Sequence, residues 1–218
     1  IIMNVQEATT RRLPDLKGRY LPENCRETIN TILKETYGYE QFRNLEIYDD
    51  LSKGKEKLCI SQGQLIENVI LEAEKAWKGE TQVDNILLTA PTGSGKSLLF
   101  QLPAIYLGKE YNLLTIVVSP LKALIVDQVE SLQELGYTRV AYASSDLSPE
   151  QKMEVYRQVR EGEIDLFYLS PELLLSYDIK HFVGERRIGL VVVDEAHTVT
   201  TWCKASRGDY WFLGWLLC

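Results

Sequence analysis

The stretch NILLTAPTGSGKSLLFQLPAIYLG, residues 85–108, decides the class of fold. Its first part, NILLTA (85–90), is a short apolar run typical of a buried strand, and its last part, GKSLLFQLPAIYLG (95–108), is typical of a helix that Pro103 interrupts or bends. A loop rich in glycine and serine joins the two, and glycine allows backbone conformations that other residues avoid. A strand, a glycine-rich turn and a helix in this order predict one unit of an α/β fold.

The same alternation of strand and helix continues along the chain from Ser61 onward. Further apolar runs predict strands at 113–119, 139–144, 164–170 and 188–194, and amphipathic spacing predicts helices at 62–77, 120–136 and 148–162. Strands that are apolar throughout are typical of a parallel sheet covered on both faces. We therefore predict an α/β domain with a mainly parallel sheet flanked by helices.

Residues 1–58 differ from the rest because their pattern is weak and is broken by proline and glycine. A helix is predicted at 27–38, ending on a glycine cap at Gly38. We predict a small, mainly helical accessory segment over 1–58 and one α/β domain over 59–218. Because the chain starts without methionine and stops inside the apolar WFLGWLLC, we also expect it to be part of a longer protein.

The composition is typical of a globular protein, with 45% hydrophobic and 25% charged residues in 218. Its 24 basic and 31 acidic residues give a formal net charge of −7, which argues against diffuse nucleic-acid binding through overall charge but not against a local site. No apolar run reaches the roughly 18 residues of a membrane span, so no membrane partner is expected. The four cysteines lack metal-binding spacing and are expected to be reduced thiols: Cys25, Cys59, Cys203 and Cys218.

The loop APTGSGKS (90–97) matches the phosphate-binding pattern that ends in Gly-Lys-Ser, with Ala90 where the general pattern has glycine. Its N–H groups and the helix N-terminus favour a bound phosphate, Lys96 adds a positive charge, and the Ser97 hydroxyl suits Mg²⁺. Such letters also occur by chance, but the predicted strand before the loop and helix after it favour the phosphate site. The predicted nucleotide-binding residues are Thr92, Gly93, Ser94, Gly95, Lys96 and Ser97.

A second predicted strand ends in two acids, in VVVDEAHTVTTWC (191–203). Asp194 stands at the strand end, where it can hold Mg²⁺ through water, and Glu195 is then free to orient and deprotonate an attacking water. Two solvated acids at a strand end are the alternative interpretation, which an independent phosphate loop disfavours. Together the two motifs predict hydrolysis of a nucleoside triphosphate.

These motifs, in this order over about 61–214, resemble superfamily 2 helicases and most closely the RecQ family. The resemblance implies a RecA-like P-loop NTPase domain, the first of two motor domains in an ATP-dependent 3′-to-5′ DNA helicase or translocase. It implies ATP and Mg²⁺ as cofactors, with Ser97 and Asp194 directed to the metal. His197 would be the DEAH-box histidine, near the γ-phosphate. The implied catalytic residues are Lys96, Glu195 and His197.

Two segments compete for the adenine-recognition role that the resemblance implies. SQGQLIENVI (61–70) places Gln64 as the base-reading residue, with an insertion around KGETQVD (78–84) explaining its long distance from the phosphate loop. GYEQFR (38–43) resembles the same region of RecQ proteins, but Glu46 then falls where the glutamine belongs. We prefer Gln64 and keep GYEQFR as the alternative.

Contacts to a single DNA strand are implied by two segments that each run from strand through Ser-Pro into helix, VVSPLKALIVDQVESL (117–132) and LFYLSPELL (166–174). Helix N-termini and serine hydroxyls at these places can donate to a sugar–phosphate backbone. Ser-Pro is also simply a good helix start, and DLSPEQ (146–151) has it away from any such motif. The implied contact residues here are Ser119, Lys122 and Ser170.

The segment DEAHTVTTWCKASRGDYWFLG (194–214) is similar to the RecQ loop that senses single-stranded DNA and couples it to ATP hydrolysis. Trp202 would stack on a base and Arg207 would bind a phosphate. Cys203 and Gly208 stand where the family has glycine and proline. The alternative for the aromatic residues is a role in a core or interface.

The expected partners are single-stranded or partially duplex DNA and a second RecA-like domain of the same longer chain, which would supply an arginine finger. The expected location is the cytoplasm, near the nucleoid, or the nucleus. Two other functions stay open: a different P-loop ATPase, such as a transporter subunit or a GTPase, and a non-catalytic ATP-dependent clamp or scaffold. The absence of LSGGQ and NKxD motifs disfavours the first, and the intact Lys96, Asp194 and Glu195 disfavour the second.

Overall fold

The structure is a computed structural model that describes residues 22–48, 57–86, 88 and 93–195. The chain divides into two compact units, one of residues 4–106 and one of residues 1–3 with 107–218. The boundary predicted between 58 and 59 falls inside a strand of the first unit, so a separate accessory segment over 1–58 stays a prediction.

The first unit contains two helices, a two-stranded antiparallel sheet and the start of a third helix among its described residues. The first described helix, α1 (Glu27–Tyr37), is capped by Gly38, whose φ is +69° and whose N–H donates to the Lys34 carbonyl at 3.0 Å, so the predicted glycine cap is confirmed. The two strands pair with Asn44 opposite Ser61. The elements are α1 (Glu27–Tyr37), β1 (Asn44–Tyr48), β2 (Lys57–Ser61), α2 (Gln62–Trp77) and α3 (Leu98–Tyr111).

A buried ion-pair network holds the start of α1 against α2. The Arg26 guanidinium lies 2.6 Å from a carboxylate oxygen of Glu67 and 2.6 Å from one of Glu74, and it also donates to the Tyr106 hydroxyl. Both acids are buried, and a buried carboxylate is tolerated only when it is paired and hydrogen-bonded. Arg26 therefore fixes where the N-terminal helix lies on this unit.

The second unit is built on a four-stranded sheet in the order β4-β5-β3-β6, and every adjacent pair is parallel. This arrangement confirms the predicted α/β fold with a parallel sheet flanked by helices. The elements are β3 (Leu114–Val118), α4 (Lys122–Glu134), β4 (Val140–Ala143), α5 (Pro149–Glu161), β5 (Leu166–Leu169), α6 (Pro171–Ser176), α7 (Ile179–Val183) and β6 (Ile188–Val193).

The two central strands explain why apolar runs predicted this sheet well. Every residue of β3 and of β5 is buried, and each of these two strands is paired with a neighbouring strand on both edges. In the core, the Tyr156 ring packs edge to face against Phe167 of β5 and against Phe182. Helix α5 begins with a capping box, in which Ser148 accepts from the Gln151 N–H and the Gln151 side chain accepts from the Ser148 N–H.

Two expectations on the opening stretch had different outcomes. Residues 85, 86 and 88 are not in a strand, and the other residues of the predicted strand 85–90 lie outside the described part. Of the two effects predicted for Pro103, the interruption is wrong, since α3 continues from Leu98 through Pro103 to Tyr111, and the bend stays a prediction. A proline in a helix removes the hydrogen bond to the carbonyl four residues earlier, and a largely buried helix tolerates the loss of one bond. Of the helices in the described ranges, none has the length and apolarity to cross a membrane.

Candidate nucleotide site and nucleic-acid edge

The phosphate loop is described from Gly93 to Ser97, directly before α3. The first turn of the helix is hydrogen-bonded to the loop: the Leu98 N–H donates to the Gly95 carbonyl at 3.2 Å, and the Leu99 N–H donates to the Lys96 carbonyl at 3.0 Å. Among the described residues, none accepts a backbone hydrogen bond from the N–H groups of 93–97. A run of N–H groups at a helix N-terminus favours an anion, which is the arrangement that the predicted phosphate site requires.

Three side chains of this loop were predicted to bind the nucleotide, and those roles stay predictions. Lys96 and Ser97 are half-buried, so each can still reach a ligand. The Ser94 hydroxyl is buried and has no hydrogen-bond partner among the described residues. Thr92, the other predicted nucleotide-binding residue, lies outside the described part of the chain.

The two acids follow β6, as predicted. The Asp194 N–H donates to the Val118 carbonyl at 2.9 Å, which extends the pairing of β6 with β3 to the strand end. The Glu195 N–H donates to the Asp194 carboxylate at 2.9 Å, and Glu195 has a φ of +49°. A left-handed non-glycine residue costs roughly 1–2 kcal/mol, so the structure holds Glu195 in a strained conformation. Such strain is typical of functional positions.

A hydrogen-bonded chain behind Asp194 was missed by the sequence reasoning. The Tyr168 hydroxyl, on β5, donates to the Gln128 side chain at 2.9 Å, and the Gln128 amide donates to Asp194 Oδ2 at 3.5 Å. Tyr168 is fully buried and Gln128 is half-buried. The available signal was Gln128 itself, a polar residue on the otherwise apolar face of α4. These two residues orient the acid that is predicted to bind metal.

The two competing adenine-recognition segments meet in space. The Gln62 N–H donates to the Arg43 carbonyl at 2.9 Å, so the β1–β2 hairpin brings GYEQFR (38–43) directly against Gln64 and its neighbours. Both segments line one cavity of about 750 Å³. In the sequence, the two segments are separated by β1 and β2, the strands whose pairing brings them together. Glu46 lies exposed on β1, and the cavity lining does not include it.

The Gln64 amide is held in a defined orientation at that cavity. Its Oε1 accepts from the Ser61 N–H at 3.0 Å, which completes a capping box with the Ser61 side chain. Its Nε2 donates to the Pro22 carbonyl at 3.1 Å. An amide carries two N–H groups and two acceptor lone pairs, so the bonds to described residues leave each end of Gln64 one further bonding direction. That is the donor–acceptor pair an adenine edge needs.

The carboxyl ends of the parallel strands meet at one edge, where Ser119 follows β3 and Ser170 follows β5. The Ser119 N–H donates to the Leu169 carbonyl at 3.1 Å. Both serine side chains are buried, with residue exposures of 1% and 3%, so neither hydroxyl faces solvent in this conformation. A DNA contact through these serines therefore requires the edge to open and stays a prediction.

Lys122, the third predicted contact on this edge, is exposed at the start of α4. Its amine lies 2.8 Å from an Asp146 carboxylate oxygen and also donates to the Ser145 hydroxyl. A DNA phosphate would therefore compete with Asp146 for Lys122. The carboxylate occupies the kind of position that a phosphate oxygen would take.

Comparison with known proteins identifies the family. A family model described as "DEAD/DEAH box helicase" matches residues 65–212. The chain belongs to the DEAD/DEAH-box helicase family. The ATP-dependent DNA helicase RecQ of Haemophilus influenzae is 30% identical over 189 residues, which are 87% of this chain and 25% of that protein. The ATP-dependent DNA helicase Q-like 5 of Arabidopsis thaliana is 34% identical over 185 residues, 84% of this chain and 17% of that protein.

These relatives confirm the RecQ-like character of this helicase domain, which spans a third or less of their length. Among solved structures, the crystal structure of the DUF1998 helicase MrfA bound to DNA and AMPPNP aligns with a TM-score of 0.50 and 22% identity. That alignment covers 83% of this chain and 22% of the other, and it supports the fold alone.

The remaining predicted residues of the helicase domain are His197, Trp202 and Arg207. All three lie outside the described residues, so their roles stay predictions. The family match extends through this segment, to residue 212, which supports the DEAH assignment at the level of sequence.

Proposed function

We propose that this chain is the first RecA-like motor domain of a RecQ-like, ATP-dependent 3′-to-5′ DNA helicase or translocase. The observation that carries the proposal is the loop 93–97, whose N–H groups are unused by described residues and which runs into the N-terminus of α3. Membership of the helicase family makes ATP the expected ligand of that loop.

The adenine end of ATP would occupy the cavity lined by Gln64 and Phe42, where the Gln64 amide offers one donor and one acceptor. The triphosphate would bind the loop amides and Lys96. Glu195 would take a proton from the attacking water, and Asp194 fixes the Glu195 backbone by accepting its N–H.

We propose Mg²⁺ as the metal, as the resemblance to RecQ proteins implies for Ser97 and Asp194. The Ser97 hydroxyl and the Asp194 carboxylate are hard oxygen donors, the type that Mg²⁺ takes in phosphoryl-transfer sites. When bound, the metal would neutralise charge on the phosphates. Gln128 and Tyr168 would keep the Asp194 carboxylate oriented for it.

We propose single-stranded or partially duplex DNA as the partner, bound along the edge that carries Lys122, Ser119 and Ser170 and by Trp202 and Arg207. A second RecA-like domain would complete the ATP site, and the protein would act where cellular DNA is found, at the nucleoid or in the nucleus. The exposed Lys122 at a helix start supports this edge, since basic side chains there contact phosphates.

The nucleotide proposal is tested by titrating the 218-residue chain with a fluorescent ADP analogue and Mg²⁺. Lys96→Ala should weaken binding by about tenfold to a hundredfold, because a charge-assisted phosphate contact contributes roughly 1.5–3 kcal/mol. Lys109→Ala is the matched control, since Lys109 is an exposed lysine in the last turn of the same helix. Equal affinities for all three proteins, or no binding by the unaltered chain, would reject the proposal.

A further inference from the structure

The Gln62 side chain is a buried polar group that none of the predicted roles uses. Gln62 is the first residue of α2 and is 2% exposed. A buried amide costs free energy unless its oxygen and nitrogen are both hydrogen-bonded. The hydrogen-bond partners of Gln62 therefore show which segments its side chain connects.

Those partners belong to two different segments. Gln62 Oε1 accepts from the Arg43 N–H at 3.2 Å, and Gln62 Nε2 donates to the Ser94 carbonyl at 3.0 Å. The backbone repeats the first link, because the Gln62 N–H donates to the Arg43 carbonyl at 2.9 Å. One side chain thus connects the base of the β1–β2 hairpin to the phosphate loop.

The loop fits closely around this amide at Gly95. A Cβ at Gly95 would lie 2.7 Å from Gln62 Nε2, and Gly95 has a φ of +77°, which side-chain-bearing residues rarely adopt. Gln62 Nε2 therefore both donates to the Ser94 carbonyl and lies so close to Gly95 that a side chain at Gly95 would collide with it. The phosphate loop is thus held in place by Gln62 as well as by its hydrogen bonds to the first turn of α3.

Gln62 also stands directly beside the cavity proposed for the nucleotide base. The residues that follow it, Gly63 and Gln64, line that cavity together with Phe42, the residue before Arg43. A Cβ at Gly63 would lie 2.7 Å from the Phe42 ring, so the two walls are in close contact. A ligand that fills the cavity restrains both segments that Gln62 joins.

We propose that Gln62 is a positioning residue that couples base binding to the phosphate loop. A base in the cavity restrains Arg43 and the start of α2, and Gln62 transmits that restraint to the Ser94 carbonyl and Gly95. The loop amides are then better preorganised for phosphate when a base is present. The inference rests on the proposed function, in which the loop binds the phosphates of ATP.

The test compares the affinity of the 218-residue chain for ATP with its affinity for inorganic tripolyphosphate, both with Mg²⁺. Gln62→Leu removes both hydrogen bonds at similar size. We expect it to weaken ATP binding about tenfold and tripolyphosphate binding only about twofold, so the preference for the nucleotide shrinks. Equal weakening of both ligands, or no weakening, would overturn the coupling.

A second variant keeps the test valid if Gln62→Leu folds poorly. Gln62→Glu retains an acceptor for the Arg43 N–H, but an ionised carboxylate cannot donate to the Ser94 carbonyl, whereas a protonated one can. Relative to the unaltered chain at each pH, its ATP affinity should recover as the pH is lowered from about 8 to about 5.5, because burial raises the pKa of a carboxyl group. A pH-independent ratio would contradict the donor role.

Gln101→Leu is the matched control. Gln101 is also a buried glutamine of this unit, 5% exposed, and its side chain accepts from the Tyr37 hydroxyl at 2.9 Å. Gln101→Leu should leave the preference for ATP over tripolyphosphate unchanged. If it lowered that preference as much as Gln62→Leu does, the effect of Gln62 would be one of general stability and not of coupling. If the unaltered chain binds neither ligand, the proposed function fails; if it binds both and Gln62→Leu changes nothing, only the coupling fails.

Discussion

At the scale of single residues, the two cysteines of the described ranges lie in opposite environments. Cys25 is half-buried and its thiol donates to a Glu67 carboxylate oxygen at 3.8 Å, whereas Cys59 is exposed on β2. Burial, reinforced by the negative charge of Glu67, raises the pKa of the Cys25 thiol to about 12. Because the thiolate is the reactive form, the two cysteines should differ in reactivity.

We expect iodoacetamide at about pH 8 to alkylate Cys59 in the folded chain and to spare Cys25. Peptide mapping by mass spectrometry reports each site separately, and unfolding in urea should expose Cys25 to the same reagent. Modification of both cysteines at the same rate without urea would contradict the burial of Cys25.

The same pKa shift predicts a pH dependence of stability. The folded-state pKa of Cys25, about 12, is higher than its ordinary value of 9.0, so unfolding favours loss of the proton. The stabilising contribution is complete below about pH 9 and is lost as the pH rises toward 12. Urea denaturation across this range should show a smaller loss of stability in Cys25→Ala than in the unaltered chain.

The residues of the candidate site show what a sequence pattern can and cannot predict. The roles of Lys96, Ser97 and Asp194 depend on local order along the chain, because a strand end or a helix start directs each of them. The role of Gln62 depends on a contact with Ser94, 32 positions away, and no local pattern encodes such a contact. The burial of Ser119 also escaped prediction, since Ser-Pro before a helix occurs at exposed positions too, as at Ser148.

At the scale of elements, the sheet of the second unit depends on one buried acid where β5 begins. Asp165 is fully buried; the Arg139 guanidinium lies 2.6 Å from its carboxylate, the Arg186 guanidinium lies 2.9 Å from it, and the Tyr137 hydroxyl donates to it at 3.2 Å. Burial lowers the pKa of Arg186, while the hydrogen bond to Asp165 opposes that shift. A Cβ at Gly108 would collide with the Asp165 side chain, so α3 also packs directly on this acid.

Asp165→Asn should destabilise the chain by about 3–5 kcal/mol, because it leaves the buried Arg186 without its counter-charge. Urea denaturation measures the loss, and adding Arg186→Met should recover part of it by removing the uncompensated charge. Asp146→Asn is the control, since Asp146 makes an exposed ion pair with Lys122 and should change the midpoint far less. Equal effects of the two substitutions would contradict the buried cluster.

Elements formed by buried, locally patterned sequence were predictable, and the hairpin was not. The observed β3, α4, β5 and α5 lie within a few residues of their predicted bounds, because continuous apolar runs and amphipathic spacing reflect burial directly. The strands of the hairpin, β1 and β2, carry charged residues among apolar ones. Their pairing joins residues that are distant in sequence, which a local pattern does not predict. This pairing brings GYEQFR and Gln64 close together in space although they are far apart in the chain.

At the scale of the whole molecule, the helicase family predicts that this chain binds ATP and that efficient hydrolysis requires a second motor domain as well. The chain corresponds to a quarter or less of the Haemophilus and Arabidopsis helicases that it resembles. In the proposed mechanism a second RecA-like domain supplies an arginine to the γ-phosphate, and such arginines contribute roughly 10³-fold or more to turnover. The 218-residue chain alone should therefore bind ATP but hydrolyse it poorly, with or without DNA. DNA-stimulated turnover on the order of 1 s⁻¹ by this chain would contradict that division.

In a protein that joins this chain to the proposed second domain, Glu195→Gln should separate binding from chemistry. Removing a general base lowers turnover by about 10²-fold to 10⁴-fold, while the amide keeps the size of the side chain, and the Asp194 contact to the residue-195 backbone does not depend on that side chain. The variant should therefore retain ATP and hold single-stranded DNA in filter binding. Glu185→Gln, an exposed acid shortly before β6, is the control and should turn over normally. Hydrolysis without DNA binding in any nucleotide state would favour a different P-loop ATPase, and DNA binding without hydrolysis by the unaltered protein would favour a clamp.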